Sequence, residues 1–167
     1  MTALPEIPFH PMKPIKGGPP LSEVYRRLEM SSDWMCQAKL DGRRVLWDGK
    51  ILWSRQGNRL DNAVSLALGG FTQMLDGELM SDGHFWVYDL PDEARSKLQV
   101  RWEKIDEVVQ ALSCPFVHKC PVVHDWKEVP ENKWEGVVFK RVRSRYPKGR
   151  VPGEVTADWV KFRAEWL

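Results

Sequence analysis

Twice in succession, two short β-prone runs face each other across an Asp-Gly pair, and this constrains the fold of the chain more than any other feature. Arg43 to Ser54 reads RRVLW and KILWS around Asp48-Gly49; Met74–Met80 and His84–Leu90 repeat the pattern around Asp82-Gly83. Such runs around an Asp-Gly turn are a strong short-range signal for an antiparallel hairpin. Further strands are predicted at 34–40, 137–142 and 159–162, with an extended segment at 116–123 interrupted by Pro121. Helical patterning is scarcer. A short helix is predicted after Ser22, with apolar positions at 21, 24, 25 and 28, and a helical turn at 63–68. The best helix opens at Pro91, with Asp92 and Glu93 in its first turn and a stripe of Leu98, Trp102, Ile105, Val108, Val109 and Leu112. With no large repeat and no interdomain linker, the predicted class is α+β, with antiparallel sheets and few helices.

A chain of 167 residues, 43% hydrophobic and 29% charged, fits one globular domain that buries roughly 70% of its unfolded surface. Residues 1–20, rich in Pro and Gly, are expected to form an extended arm, leaving 21–167 as the domain. The longest apolar stretch, Ala63 to Phe71, holds two glycines and is too short to cross a bilayer. The N-terminus lacks the basic and apolar regions of a secretory leader, and three cysteines are too few for a disulfide framework. A cytoplasmic, membrane-free monomer is expected.

The formal charge is only +2, but it is uneven. Lys140 to Arg150 reads KRVRSRYPKGR, six basic residues without an acid, so the remainder sums to −4. Such a run reads either as a phosphate-contacting loop or as a solubilising one.

Lys39-Leu40-Asp41-Gly42-Arg43-Arg44 has the form K-x-D-G-x-R. Taken alone it is turn chemistry beside a solvated lysine. With Asp48-Gly49 as a two-residue loop, however, Arg44 pairs with Trp53 and Gly42 with Arg55. Lys39 and two arginines then gather at one end of the hairpin. Several cations, two of them guanidinium forks, suit a polyphosphate, and crowded like charges lower a lysine's pKa toward that of a nucleophile.

Further motifs follow in order: Ser54-Arg55-Gln56-Gly57, Leu75-Asp76-Gly77-Glu78-Leu79, Phe85-Trp86-Val87-Tyr88-Asp89, Glu135-Gly136-Val137-Val138-Phe139-Lys140 and Trp159-Val160-Lys161-Phe162-Arg163. From about residue 34 onward the ordered set resembles the covalent nucleotidyltransferases, which include ATP-dependent DNA ligases, RNA ligases and mRNA capping enzymes. The E-G-V-V-F-K form is similar to that of the ATP-dependent DNA ligases. The resemblance implies a nucleotidyltransferase (adenylation) domain that uses ATP and Mg²⁺ on a nucleic acid, most simply nicked duplex DNA. Lys39 is then the nucleophile that becomes lysyl-AMP, and Asp41 organises it and a metal. Arg44 and Arg55 contact ribose or phosphate. Glu78 accepts from ribose hydroxyls, Tyr88 stacks on adenine and Gln37 reads its edge. Glu135 is a Mg²⁺ ligand, and Lys140, Lys161 and Arg163 are phosphate contacts. Arg141, Arg143, Arg145, Lys148 and Arg150 hold the nucleic-acid backbone. An RNA ligase or capping-type enzyme, or a non-catalytic nucleotide- or DNA-binding module, are the alternatives.

Three expectations follow. Ligases of this group carry an OB-fold domain after the last motif, whereas this sequence ends at Leu167, so an adenylation domain without an OB-fold is expected, with a trans-acting OB-fold partner as one way to complete it. With Asp82-Gly83 as a two-residue turn, Glu78 pairs with Val87, and Glu78 and Tyr88 fall on opposite sheet faces. A longer loop, or a bulge at Gly77 or Ser81, is needed to reunite them; otherwise Trp86 or Phe85 replaces Tyr88. Finally, Cys114, His118, Cys120 and His124 have zinc-ligand chemistry but match no common zinc spacing, and a core strand with incidental histidines is the preferred reading.

Overall fold

The computed structural model describes residues 3–18 and 23–166. In chain order it contains β1 (His10–Pro11), β2 (Lys13–Lys16), α1 (Glu23–Met30), β3 (Trp34–Lys39), β4 (Arg43–Trp47), β5 (Leu52–Ser54), β6 (Arg59–Leu60), α2 (Ala63–Ala67), β7 (Leu75–Leu79) and β8 (Phe85–Asp89). There follow α3 (Leu98–Leu112), β9 (Val117–Lys119), α4 (Glu128–Glu131), β10 (Gly136–Arg141), β11 (Lys148–Gly149) and β12 (Val155–Arg163). They assemble a six-stranded sheet ordered β6-β5-β4-β7-β8-β9, a four-stranded sheet ordered β2-β12-β10-β3, and the small pair β1-β11. The α+β class holds, and all pairings are antiparallel except β8–β9 and β2–β12. The proposed cap Ser22, with Leu21, lies outside the described residues. No helix of the described residues is long and apolar enough to cross a membrane.

Alternation along the strands gives each large sheet one apolar and one polar face. In the six-stranded sheet Val45, Trp47, Leu75, Leu79, Phe85 and Val87 join Val64 of α2 and Ile105 and Val108 of α3 in one core. In the four-stranded sheet Ala38, Val137, Phe139, Val160 and Phe162 pack on Tyr25 and Leu28 of α1 and Val129 of α4. A third cluster, which includes Phe9, Leu46, Trp53, Tyr146 and Trp159, joins the two sheets. The polar faces are thereby turned toward each other.

Both hairpins form, and both turn in a different register from the expected one. Trp47 pairs with Leu52, and the Asp48 N–H donates to the Ile51 carbonyl at 3.0 Å, which centres the turn on Gly49-Lys50. The cause is the Asp48 carboxylate. It accepts from the N–H groups of Lys50 (2.8 Å) and Ile51 (2.7 Å) and from the Trp53 indole (2.7 Å), so Asp48 acts as the turn's first residue. Gly49 takes the positive φ of 95°. By extension of this register Arg44, rather than Gly42, lies level with Arg55.

In the second hairpin Leu79 pairs with Phe85 and Met80 N–H donates to the His84 carbonyl at 2.9 Å. The loop is therefore three residues, Ser81-Asp82-Gly83, with Gly83 at φ 86°. That one extra residue shifts the register by one, so Glu78 now opposes Trp86 and shares its face with Tyr88. Nearer the other end, Asp76 opposes Asp89 while Gly77 opposes Val87, which leaves Tyr88 as an unpaired bulge residue beside Gly77. A Cβ at Gly77 would lie 2.3 Å from the Trp86 carbonyl oxygen, so this close approach requires glycine.

The long helix starts at Leu98 and not at Pro91; Pro91–Glu93 is a separate 3-10 turn. Its first amides are taken by the chain after β10. Leu98 N–H donates to the Ser144 carbonyl (2.9 Å) and Gln99 N–H to that of Val142 (3.3 Å). Orphan donors at a helix start can be satisfied by any acceptor, so no local capping signal marks this boundary.

Candidate active site

The facing polar surfaces enclose a cleft of about 510 Å³. Lys39 ends β3 at its mouth. The Glu135 N–H donates to the Lys39 carbonyl at 2.8 Å, and the Ala164 N–H donates to the Glu135 carbonyl at 2.7 Å. The next residue, Gly136, sits between Lys39 and Arg163, and a Cβ there would lie 2.0 Å from the Phe162 carbonyl oxygen. This close weave puts the Glu135 carboxylate against the Lys39 ammonium, and the two form an ion pair. Asp41 lines the same mouth from the exposed turn that follows Lys39.

The opposite wall comes from the six-stranded sheet. Arg44 makes a bidentate pair with buried Asp76, Nε to Oδ1 at 2.9 Å and Nη2 to Oδ2 at 2.6 Å, and donates also to the Met12 carbonyl. Asp76 further accepts from the Tyr146 hydroxyl at 2.6 Å. The Glu78 carboxylate accepts from the Tyr88 hydroxyl and the Gly42 N–H, both at 3.2 Å. Burial pushes Glu78 up to about 7, against the opposing pull of Tyr88, Arg44, Lys39 and the Gly42 amide. Arg55 lines this wall beside Ser54.

The floor and remaining flank come from the four-stranded sheet. Gln37 is buried, and its side-chain amide donates to the Tyr88 carbonyl at 3.3 Å. Lys140 is 2% exposed and Nζ has no hydrogen-bond partner among the described residues; the ammonium lies 4.2 Å from the Trp159 ring centroid and 4.7 Å from that of Tyr88. Burial pulls Lys140 down to about 8, against the raising influence of Asp89 and Asp76. Along β10, Lys140 is four residues from Gly136, so roughly 13 Å of strand separates it from the level of Lys39. Lys161 lines the flank, its pKa lowered by burial and then by the charges of Lys39, Arg163 and Lys13.

The structure thus brings Gln37, Lys39, Asp41, Arg44, Arg55, Glu78, Tyr88, Glu135, Lys140 and Lys161 to one cleft. Arg163 is exposed, one alternation beyond Lys161 and outside the lining. The basic run is less of a free loop than its composition suggests. Arg141, Arg143, Arg145, Lys148 and Arg150 are exposed, but Ser144 and Tyr146 between them are buried plugs. Arg141 pairs with Asp158 at 3.2 Å and lies 4.5 Å over Trp34, and Lys148 lies 5.2 Å over Phe9.

Asp76 and Lys13, for which no role is read from the sequence, and Trp159, which is read only as packing, also shape the cleft. Asp76 carried a usable signal, since it stands two residues before Glu78 and so shares its face. Among the described residues no group of three or more His, Cys, Asp or Glu is placed to hold a metal. Cys114, His118, Cys120 and His124 are accordingly not gathered at one point. Cys120 is buried, and His118 stacks on His84 at 4.9 Å and lies tilted against Trp86 at 4.4 Å. Asp41 and Glu135 at the cleft mouth are a donor set that fits Mg²⁺, an ion usually held by one or two carboxylates together with substrate phosphates.

No family model matches the chain. A DNA ligase of Haemophilus influenzae is 27% identical, in a match covering 70% of this chain and 54% of the relative. The chain therefore spans about half the length of the curated relative it matches. Among solved structures, a Lig E DNA ligase, studied for DNA binding with a minimal scaffold, superposes with a TM-score of 0.71 at 17% identity, covering 94% of this chain and 69% of that one. A mycobacterial DNA ligase D complexed with ATP and MES superposes with a TM-score of 0.66 at 25% identity, covering 93% of this chain and 60% of that one.

Proposed function

We propose, for a chain that has the nucleotidyltransferase fold of the ATP-dependent DNA ligases, that the cleft transfers AMP from ATP through Lys39 to the 5′-phosphate of nicked DNA. The observation that carries this reading is the placement of one lysine amine at the mouth of a two-walled cleft. Glu135 is bonded to it, Lys161 lies on its flank, and Glu78 and Tyr88 face it from the other sheet. The adenylation domain is taken as 21–167 and the N-terminal arm as 1–20.

In this reading the base rests against Tyr88 with Gln37 at its edge, and the Glu78 carboxylate accepts from the ribose hydroxyls. The Lys39 amine then stands in line with the α-phosphorus. As the Nζ–P bond forms, the bond to pyrophosphate breaks and its electron pair leaves with pyrophosphate. For this the Lys39 ammonium first gives one proton to Glu135, which already accepts its hydrogen bond, and so frees the lone pair that attacks; the second Nζ proton leaves to solvent once the N–P bond has formed. Lys161 offsets charge on the phosphate oxygens. Asp41 and Glu135 would hold Mg²⁺, which supplies further charge neutralisation. In the second step a 5′-phosphate oxygen attacks the same phosphorus, the Nζ–P bond breaks and Lys39 takes a proton back as an amine; in the third the 3′-hydroxyl oxygen attacks the 5′-phosphorus, the anhydride bond breaks, AMP leaves with its electron pair and the hydroxyl proton goes to solvent. The exposed arginines at 141, 143, 145 and 150, with Lys148, hold the backbone, which makes binding salt-dependent. By its position on β10, Lys140 serves the base end of the cleft, beneath Tyr88, and not the phosphate.

The test is incubation with α-labelled ATP and Mg²⁺. An acid-labile label of one AMP on the wild type, absent from Lys39→Ala, is expected. An unlabelled wild type, or equal label on both, overturns the reading.

A further inference from the structure

Of the cations that line the cleft, three already have a partner. Lys39 is paired with Glu135, Arg44 with Asp76, and buried Lys140 rests on two aromatic rings. Lys13, Arg43, Arg55 and Lys161 differ, because among the described residues none of them has a carboxylate within ion-pair distance, and all four line the cleft. Arg43 is exposed and stands one alternation from inward-facing Arg44 on β4, which leaves Lys13, Arg55 and Lys161 as the open cations. Lys13 is the unexpected member, since it comes from the proline-rich N-terminal segment.

The backbone explains how it arrives. β2 runs parallel to β12, with Lys13 opposite Val155 and Pro14 opposite Thr156, but Ile15 is already opposite Val160. The strand is clipped at both ends: Lys13 N–H donates to the Glu154 carbonyl and Gly17 N–H to that of Lys161, each at 2.8 Å. Between the clips the register breaks at Pro14, which has no N–H to give a ladder. Lys13 and Pro14 consequently face the cleft, while Ile15 packs on the rear core. The preceding carbonyl, of Met12, accepts from Arg44, which fixes this strand to the opposite sheet. Lys13 is therefore held by its backbone, with its ammonium left uncommitted on the same flank as Lys161.

We propose that Lys13 is a phosphate-binding residue of this cleft, completing with Lys161 and Arg55 a receptor for a phosphate group next to the one attacked by Lys39. The proposal rests on the nucleotidyl-transfer reading of the cleft and adds to it a contact from the N-terminal strand. An unpaired ammonium on a partly enclosed wall is better satisfied by a phosphate oxygen than by water, and three such cations match the charge of a polyphosphate better than that of a single ester. The same chemistry serves two sources: the outer phosphates of the nucleotide, and the 5′-phosphate of the acceptor strand.

Calorimetric titration of the full chain distinguishes these sources without needing turnover. Probes are inorganic tripolyphosphate, adenosine, and nicked duplexes with and without a 5′-phosphate, against wild type, Lys13→Gln and Lys13→Arg. For the nucleotide source, Lys13→Gln weakens tripolyphosphate about tenfold with adenosine unchanged, and Lys13→Arg restores most of the loss. For the acceptor source, the loss falls on the 5′-phosphorylated nick and not on its 5′-hydroxyl counterpart. Lys13→Gln within twofold of wild type for both phosphate probes, with an unchanged melting temperature, overturns the assignment. Labelling of wild type on Lys39 is measured alongside. If that label is absent while Lys13→Gln still weakens phosphate binding, the transfer reading fails and the phosphate site survives.

Discussion

Two ion pairs of similar chemistry sit on opposite sides of the six-stranded sheet and have opposite fates. Arg101–Asp89 lies wholly inside, both side chains 0% exposed, with Nε 2.6 Å from Oδ1 and a further bond from Nη1 to the Ser144 carbonyl at 2.9 Å. Lys39–Glu135 stands at the cleft mouth, 19% and 28% exposed. The first pair is saturated, so it ties α3 to β8 and to the chain after β10 and leaves nothing to offer a ligand. The second is a single contact open to solvent, so either partner can exchange it for a phosphate or a cation. A closed pair carries structure; an open one is available for chemistry.

The largest expected break in this comparison is Lys39→Ala. It removes all detectable AMP labelling, while thermal melting moves by no more than a few degrees, because a partly exposed pair contributes about 1 kcal/mol or less. Arg101→Met should do the reverse. It strands a buried Asp89 carboxylate, at a cost of about 3–5 kcal/mol and a melting temperature lower by about 10 °C, measured by calorimetry. The double variant Arg101→Met with Asp89→Leu recovers most of that loss, because no uncompensated charge stays behind.

Glu78 sharpens the contrast through pH. Its folded-state pKa of about 7 is above its ordinary 4.5, so between those values the folded chain keeps a proton that the unfolded chain has lost. Stability therefore declines as pH rises from about 4.5 to about 7, with no further decline from this group above that. Glu78→Gln should flatten this part of the melting profile. Nucleotide affinity, if Glu78 accepts from ribose as a carboxylate, should rise through the same window in wild type and stay flat in the variant. The smallest effect is expected on the surface. Replacing both Arg143 and Arg145 by Gln should reduce the slope of log affinity for duplex DNA against log salt by about two.

That Lys39, Glu78, Tyr88, Glu135 and Lys161 meet in one cleft is foreshadowed by the sequence, because their order along the chain is itself a pattern. The hairpins were legible as hairpins, but their registers were not. The Asp48 carboxylate moved one turn by a residue, and an extra loop residue at 81–83 turned Glu78 and Tyr88 onto one face. The start of α3 was unreadable, because its first amides are satisfied by Val142 and Ser144, over forty residues downstream. The importance of Asp76 lies in the partners Arg44 and Tyr146, which are remote in sequence and so give no local signal.

Local chemistry needs only near neighbours, and for that reason the residue string alone determined which segments extend, which turn, and which side chains have the right groups for phosphate and base. Whether a lysine is paired, buried or left open depends on what another strand brings within a few ångströms. Lys39, Lys140 and Lys13 are the same residue type and meet three different surroundings, an acid, two rings and an open wall. Only the packing of two sheets face to face could decide that, since desolvation and charge pairing are properties of the enclosed space rather than of the chain.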